Sequence, residues 1–227
     1  MNTRGIRTAA LAAAVIACAS GGGTGAAPGT PRTVDPQVEA AAVAATAIEQ
    51  PLEIMFDWTL QEREARFSGQ GLARIAPPHH GRLDLFGPRG EAYLAAALVN
   101  DSLRLPPGAG DVPLPPLSLF WSVLGVFRPP EGATLVATTG GDDPVLEYAR
   151  GDDVWTYRFE DGRSSEVEWT GAGSGRRTVQ ISGDASHGLP TNATYRDWPA
   201  FRELRLTVKR VLQVDGFPPE TWLVRDR

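Results

Sequence analysis

From Pro51 onward the chain is a series of short alternating apolar and polar runs, separated by turn residues and mostly without helical periodicity between them. That pattern restricts it to an antiparallel β architecture. It predicts strands over 52–59, 65–76, 81–86, 91–98, 101–105, 133–139, 145–149, 153–160, 164–170, 176–182 and 201–212, with 192–197 and 220–225 as further candidates. Turn chemistry separates them at Asn100-Asp101, Gly140 to Pro144, Gly151 to Asp153, Asp161-Gly162 and Asp215-Gly216. Alternation also assigns faces. Trp155, Tyr157 and Phe159 share one face, with Thr156, Arg158 and Glu160 on the other; Val167 and Trp169 oppose Glu166 and Glu168; Leu204, Leu206 and Val208 oppose Arg205, Thr207 and Lys209. A sheet of about ten strands with one dry face must curl, close or be covered.

Two segments break the strand pattern. Asp35-Pro36 is a helix start, with Asp as N-cap and Pro at the first helical position, and the Ala-rich stretch behind it predicts a helix over 36–49. Between Pro113 and Pro130 lies Leu117-Ser118-Leu119-Phe120-Trp121-Ser122-Val123-Leu124-Gly125-Val126-Phe127, apolar nearly all round. A helix without a polar face must be buried, and the dry face of the sheet is the available partner. The expected architecture is therefore mainly β with a helical lid (α+β): a curled antiparallel sheet of about 10–11 strands, covered by an N-terminal and a mid-chain helix.

The start of the chain is an address. Arg4 and Arg7 precede an apolar run, Ala9 to Ala17, too short to span a bilayer. Val15-Ile16-Ala17-Cys18 closely resembles a bacterial lipobox, which implies cleavage before Cys18 and lipidation of its thiol and new amino group. An ordinary secretory signal with an incidental cysteine is the alternative. The division is then residues 1–17 as lipoprotein signal peptide, 18–35 as a lipidated Gly- and Pro-rich tether, and 36–227 as one domain. With 22 Lys plus Arg against 27 Asp plus Glu, the chain lacks the basic excess of a nucleic-acid binder. A single Cys excludes a disulfide framework and any multi-cysteine metal site.

Four features in order resemble the LolA/LolB family of periplasmic lipoprotein carriers and outer-membrane lipoprotein receptors. They are Phe67-Ser68-Gly69-Gln70-Gly71-Leu72-Ala73-Arg74-Ile75; Arg82-Leu83-Asp84-Leu85-Phe86-Gly87-Pro88-Arg89-Gly90; the proline-bracketed helix; and Tyr195-Arg196-Asp197-Trp198 followed by Leu204-Arg205-Leu206-Thr207-Val208. The lipobox brings the chain nearer to the receptor member. The resemblance implies an incomplete antiparallel β-barrel, a half-barrel covered by helices whose apolar cavity accepts acyl chains of lipoproteins, no catalysis and no cofactor. It also implies a lipid-anchored monomer on the periplasmic face of the outer membrane, with a soluble LolA-like carrier as a candidate partner. The receptor projects a loop with an apolar residue for membrane insertion. The matching loop here is Pro88-Arg89-Gly90, where Arg89 replaces the expected leucine; a plain type I turn reads the same residues equally well.

On this reading Phe67, Ile75, Leu83, Leu85, Trp155, Tyr157, Phe159, Val167, Trp169, Leu204 and Leu206 line the cavity, and Phe120, Trp121, Leu124 and Phe127 form its lid. The alternative is a structural or sensor lipoprotein of the same fold, with a filled core or another hydrophobic ligand. Other chemistries find little support. His79-His80 lacks a third metal ligand nearby, Gly69-Gln70-Gly71 opens no helix, and no Gly-x-Ser-x-Gly elbow occurs.

Overall fold

The computed structural model describes residues 33–100, 102–107, 114–173 and 175–224. The signal-like segment, Cys18 and most of the tether lie outside them. The helices are α1 (Pro36–Thr46) and α2 (Leu117–Phe120). The strands are β1 (Leu52–Glu62), β2 (Ala65–Ala76), β3 (His80–Phe86), β4 (Ala92–Val99), β5 (Ser102–Arg104), β6 (Thr134–Thr139), β7 (Val145–Arg150), β8 (Asp153–Glu160), β9 (Arg163–Gly171), β10 (Gly175–Ser182), β11 (Asn192–Asp197) and β12 (Arg202–Gln213). The 192–197 candidate is present as β11 and brings the eleven expected strands to twelve. Of the 220–225 candidate, the described residues 220–224 form no strand. Pro218 and Pro219 open a 3₁₀ turn at Pro219–Trp222, which packs on the outer face, where Arg82 Nη1 donates to the carbonyls of Thr221 and Leu223 at 3.0 and 2.9 Å.

The twelve strands form one antiparallel sheet in the order β5-β4-β3-β2-β1-β12-β11-β10-β9-β8-β7-β6. It consists of two meanders, β1–β5 and β6–β12, joined by the pairing of β1 with β12. The sheet stays open: β5 and β6 are its two edges. This order dictates the position of the lid. The chain leaves β5 at one edge and enters β6 at the other, so the connection holding α2 must cross a whole face. It crosses the inner one, where Leu119 is fully buried and Trp121 nearly so.

Register places apolar residues in ribs across that face. One rib runs through neighbouring strands as Leu60, Leu204, Tyr195, Val179, Val167, Tyr157 and Leu146, and each is at most 3% exposed. The next rib out is Glu62, Arg202, Asp197, Arg177, Trp169 and Trp155. Here Arg202 Nη2 meets Glu62 at 2.6 Å and Arg177 Nε meets Asp197 at 2.8 Å. The Arg177 guanidinium lies 4.6 Å from the Trp169 ring, which stacks on Trp155. The core therefore ends in a band of paired charges and stacked aromatics. On the outer face the expected wet residues pair with each other, as in Lys209–Asp57 at 2.9 Å and Arg196–Glu203 at 2.7 Å.

α1 is shorter than predicted, ending at Thr46. The Asp35 side chain caps it by accepting from the Gln37 amide at 2.9 Å. The last tether residues are docked: Thr33 bridges to Thr138 on edge strand β6, whose Oγ1 also accepts from the Asp35 amide. From there α1 is held by Tyr148 Oη donating to Glu39 and by Thr46 Oγ1, which accepts from the Phe127 amide at 2.9 Å. The two covering segments thus meet at Phe127. Arg32–Arg227 forms a compact unit that contains every helix and strand and the entire core.

Candidate functional site: an apolar pocket under the mid-chain lid

The lid is short and lightly fastened. α2 starts at Pro116 without a side-chain cap and passes into a 3₁₀ turn, Trp121–Leu124. Gly125 ends it at φ 75°, a left-handed conformation that glycine adopts without steric cost, with its amide bonded to the Ser122 carbonyl at 2.9 Å. A 3₁₀ turn has poorer hydrogen-bond geometry than an α-helix. Trp121 Nε1 is also buried with no hydrogen-bond partner, which costs about 1–3 kcal/mol and weakens the closed lid.

Two small apolar cavities lie beneath this segment. The first is lined by Ile75, Leu83 and Leu85 from β2 and β3, Leu204 and Leu206 from β12, and Phe120 and Leu124 from the lid. The second runs toward Ile54, Phe56, Leu189, Pro190, Ala193 and Val208. They share Ala73, Leu83, Val123, Leu124 and Leu206, so side-chain movement at those residues would join them. Each has a volume of about 30 Å³. That is room for about one water, and an apolar lining gives water no partner. In this closed arrangement the lid, and not a ligand, fills the inner face.

The structure brings Ile75, Leu83, Leu85, Phe120, Leu124, Leu204 and Leu206 together as predicted neighbours of one pocket. It places the other expected lining residues elsewhere. Trp155, Tyr157, Phe159 and Val167 are at most 2% exposed, in a solid core on the far half of the sheet. Phe127 lies beyond the end of the lid and fills that core, with ring centroids 4.9 Å from Tyr157, 5.5 Å from Phe159 and 6.0 Å from Tyr148. Trp169 belongs to the charged-aromatic band, its Nε1 donating to Asp153 at 3.1 Å. Phe67 is 41% exposed at the end of the sheet, against Tyr93. Trp121 packs on His79 and Phe120. His79 and His80 point apart, His80 against Trp222, and both are half-buried where a solvated turn was expected.

Val123 and Ala73 are central to the pocket, and the sequence reading did not single them out. Leu189 and Pro190 sit in an aperiodic loop that carries no periodic signal. The Gly87–Gly90 segment is a tight turn, with the Gly90 amide bonded to the Gly87 carbonyl at 3.0 Å and the Arg89 amide to Glu91 Oε2 at 2.9 Å. A larger cleft of about 480 Å³ beside the β8–β9 turn is lined by both polar and apolar residues, among them Glu160, Asp161, Arg163, Asp184, Ile181 and Pro190. The tyrosine hydroxyls of the solid half stay protonated well beyond the ordinary range: burial raises Tyr157, and burial with the neighbouring Glu39 raises Tyr148. Among the described residues no three His, Cys, Asp or Glu side chains cluster as metal ligands. No described helix is long and apolar enough to cross a membrane.

Comparison with known proteins gives the fold. No protein-family model matches the chain, and no curated protein matches it at a significant level. Among solved structures it is similar to a LolA superfamily protein of Nitrosomonas europaea, with a TM-score of 0.56 at 15% identity, over 85% of this chain and 99% of that one. It is also similar to an outer-membrane lipoprotein-sorting protein domain of Vibrio parahaemolyticus (TM-score 0.45, 8% identity, 82% and 94% covered). A third is MucB in its complex with MucA from Pseudomonas aeruginosa (TM-score 0.35, 12% identity, 83% and 60% covered). Of these three only the first exceeds 0.5, and at its level of identity it establishes a LolA-like fold and nothing finer.

Proposed function

We propose that the chain is a LolB-type lipoprotein: anchored through Cys18 to the periplasmic face of the outer membrane, it takes the acyl chains of other lipoproteins into the pocket under the mid-chain lid and passes them on. The observation that carries this reading is the pair of apolar cavities confined to the lid-covered half of the inner face. The energetics suit a carrier. An acyl chain of roughly 15 methylenes gains on the order of 12 kcal/mol gross on leaving water. Lifting the lid exposes Leu119, Phe120, Val123 and Leu124, at about 1.5–3 kcal/mol for each side chain fully exposed. The two terms are of similar size, so cargo can both enter and leave. The lipid anchor rests on the lipobox-like run ending at Cys18.

A second reading is supported by the smallness of the closed cavities: a structural or sensing lipoprotein whose interior stays filled. Titration of the Arg32–Arg227 unit with a fluorescent fatty acid separates the two. We expect saturable binding that falls at least tenfold in Leu124→Asp, with the fold retained by circular dichroism. No binding by a folded parent protein would leave only the second reading.

A further inference from the structure

The two ends of the sheet expose different chemistry. At one end the chain reverses from β1 to β2 at residues 63–64, from β3 to β4 at 87–91 and from β11 to β12 at 198–201. Among the described residues the exposed large aromatics are Phe67, Tyr93, Trp198 and Phe201, and all four belong to this end. Arg63, Arg66 and Arg89 are exposed there too, beside the exposed carboxylates Glu64 and Glu91, the latter accepting from the Arg89 amide, while Glu62 is engaged by Arg202.

Phe201 is the most telling of these residues. It is 76% exposed and sits at φ 52°, a left-handed conformation that is an outlier for a bulky residue and free of steric cost for glycine. Nothing in the fold repays that strain by packing. The turn is nevertheless firmly built. The Arg63 amide donates to the Phe201 carbonyl at 3.1 Å, the Trp198 amide to the Arg176 carbonyl at 3.2 Å and the Ala200 amide to Asp197 Oδ1 at 3.2 Å. The Arg176 guanidinium lies 5.9 Å from the Trp198 ring. The result is a fixed tip presenting two aromatic side chains to solvent.

We infer that this end docks on an anionic phospholipid bilayer, with Trp198 and Phe201 entering the boundary between headgroups and acyl chains and Arg63, Arg66 and Arg89 facing lipid phosphates. Tryptophan suits that boundary because its ring is dry at one end and wet at the other, phenylalanine adds apolar area to the inserted face, and arginine meets the phosphates. A two-residue tip is too small for the roughly 800 Å² per side of a standard protein interface, whereas shallow insertion into lipid needs only a few side chains. The inference goes beyond cargo binding and does not depend on it. It also places membrane contact on the β11–β12 turn, not on the turn holding Arg89, which contributes charge.

The test is co-flotation of the Arg32–Arg227 unit with phosphatidylglycerol–phosphatidylethanolamine vesicles and, separately, with phosphatidylcholine vesicles, beside thermal melts. We expect the parent protein to prefer the anionic vesicles and Phe201→Gly to bind them about tenfold more weakly. Its melting temperature should be equal or higher, since glycine relieves the φ. Arg63→Glu with Arg66→Glu should remove the preference for anionic lipid. A parent protein that stays free of vesicles would overturn the inference. So would a Phe201→Gly variant that binds as tightly as the parent, or one that loses binding and melting temperature together.

Discussion

The two halves of the inner face follow the same alternation of apolar and polar residues, yet they are packed differently. On the β7–β10 half, Tyr148, Trp155, Tyr157 and Phe159 close around Phe127. On the β1–β3 half, β1 turns Ile54, Phe56, Trp58 and Leu60 inward, while the facing positions of β2 and β3 include the smaller Gly69, Gly71 and Ala73 beside Ile75, Leu83 and Leu85. Phe56 takes the space above Gly71, where a Cβ would fall 2.2 Å from its ring. Around Ala73 and Leu83 nothing fills the gap, and the lid leaves two cavities there. Inner-face chemistry alone therefore does not mark a binding site. The two halves differ instead in the size of the inward residues on β2 and β3 and in how lightly the covering segment is held.

That contrast breaks most visibly under truncation. Phe127→Ala removes the centre of the aromatic cluster and should cost about 3–5 kcal/mol in urea unfolding, whereas Leu124→Ala, over the cavities, should cost under about 2 kcal/mol because the lid can settle. Equal costs would mean that both halves are equally filled. A smaller effect sharpens the picture. The raised pKa of Tyr157 means that its stabilising share is complete below the ordinary tyrosine pKa and is lost as pH rises toward its folded value. Stability should therefore fall above about pH 10, by up to about 1.4 kcal/mol per pH unit for each such tyrosine. Tyr157→Phe should flatten that fall, read from urea midpoints between pH 9 and 11.

Most of the strand ladder was legible, because alternation and Asp-Gly or Gly-Asp turns are local signals. The pairing of β1 with β12, which joins the two meanders, is not local and has no marker in the sequence. The apolar run at 220–225 looked like a strand, but Pro218 and Pro219 favour a 3₁₀ turn on the outer face. The site was half legible. Alternation found the inward residues but could not separate a filled from an unfilled region, which depends on which strands become neighbours. Phe127 looked like part of the lid because helical periodicity does not reveal that Gly125 ends it. Arg89 stood out in the sequence as a departure from the leucine that the resemblance led one to expect in that loop. The exposed Phe201 was not, because its left-handed backbone can be seen only in three dimensions.

The most direct measurement is paramagnetic broadening of methyl NMR signals by a spin-labelled fatty acid added to the Arg32–Arg227 unit. Acyl-chain capture under the lid predicts selective loss of the Leu83, Val123, Leu124 and Leu206 signals, with Leu146, Val167 and Val179 retained. Broadening centred on the latter three, or none at saturating label, would contradict it.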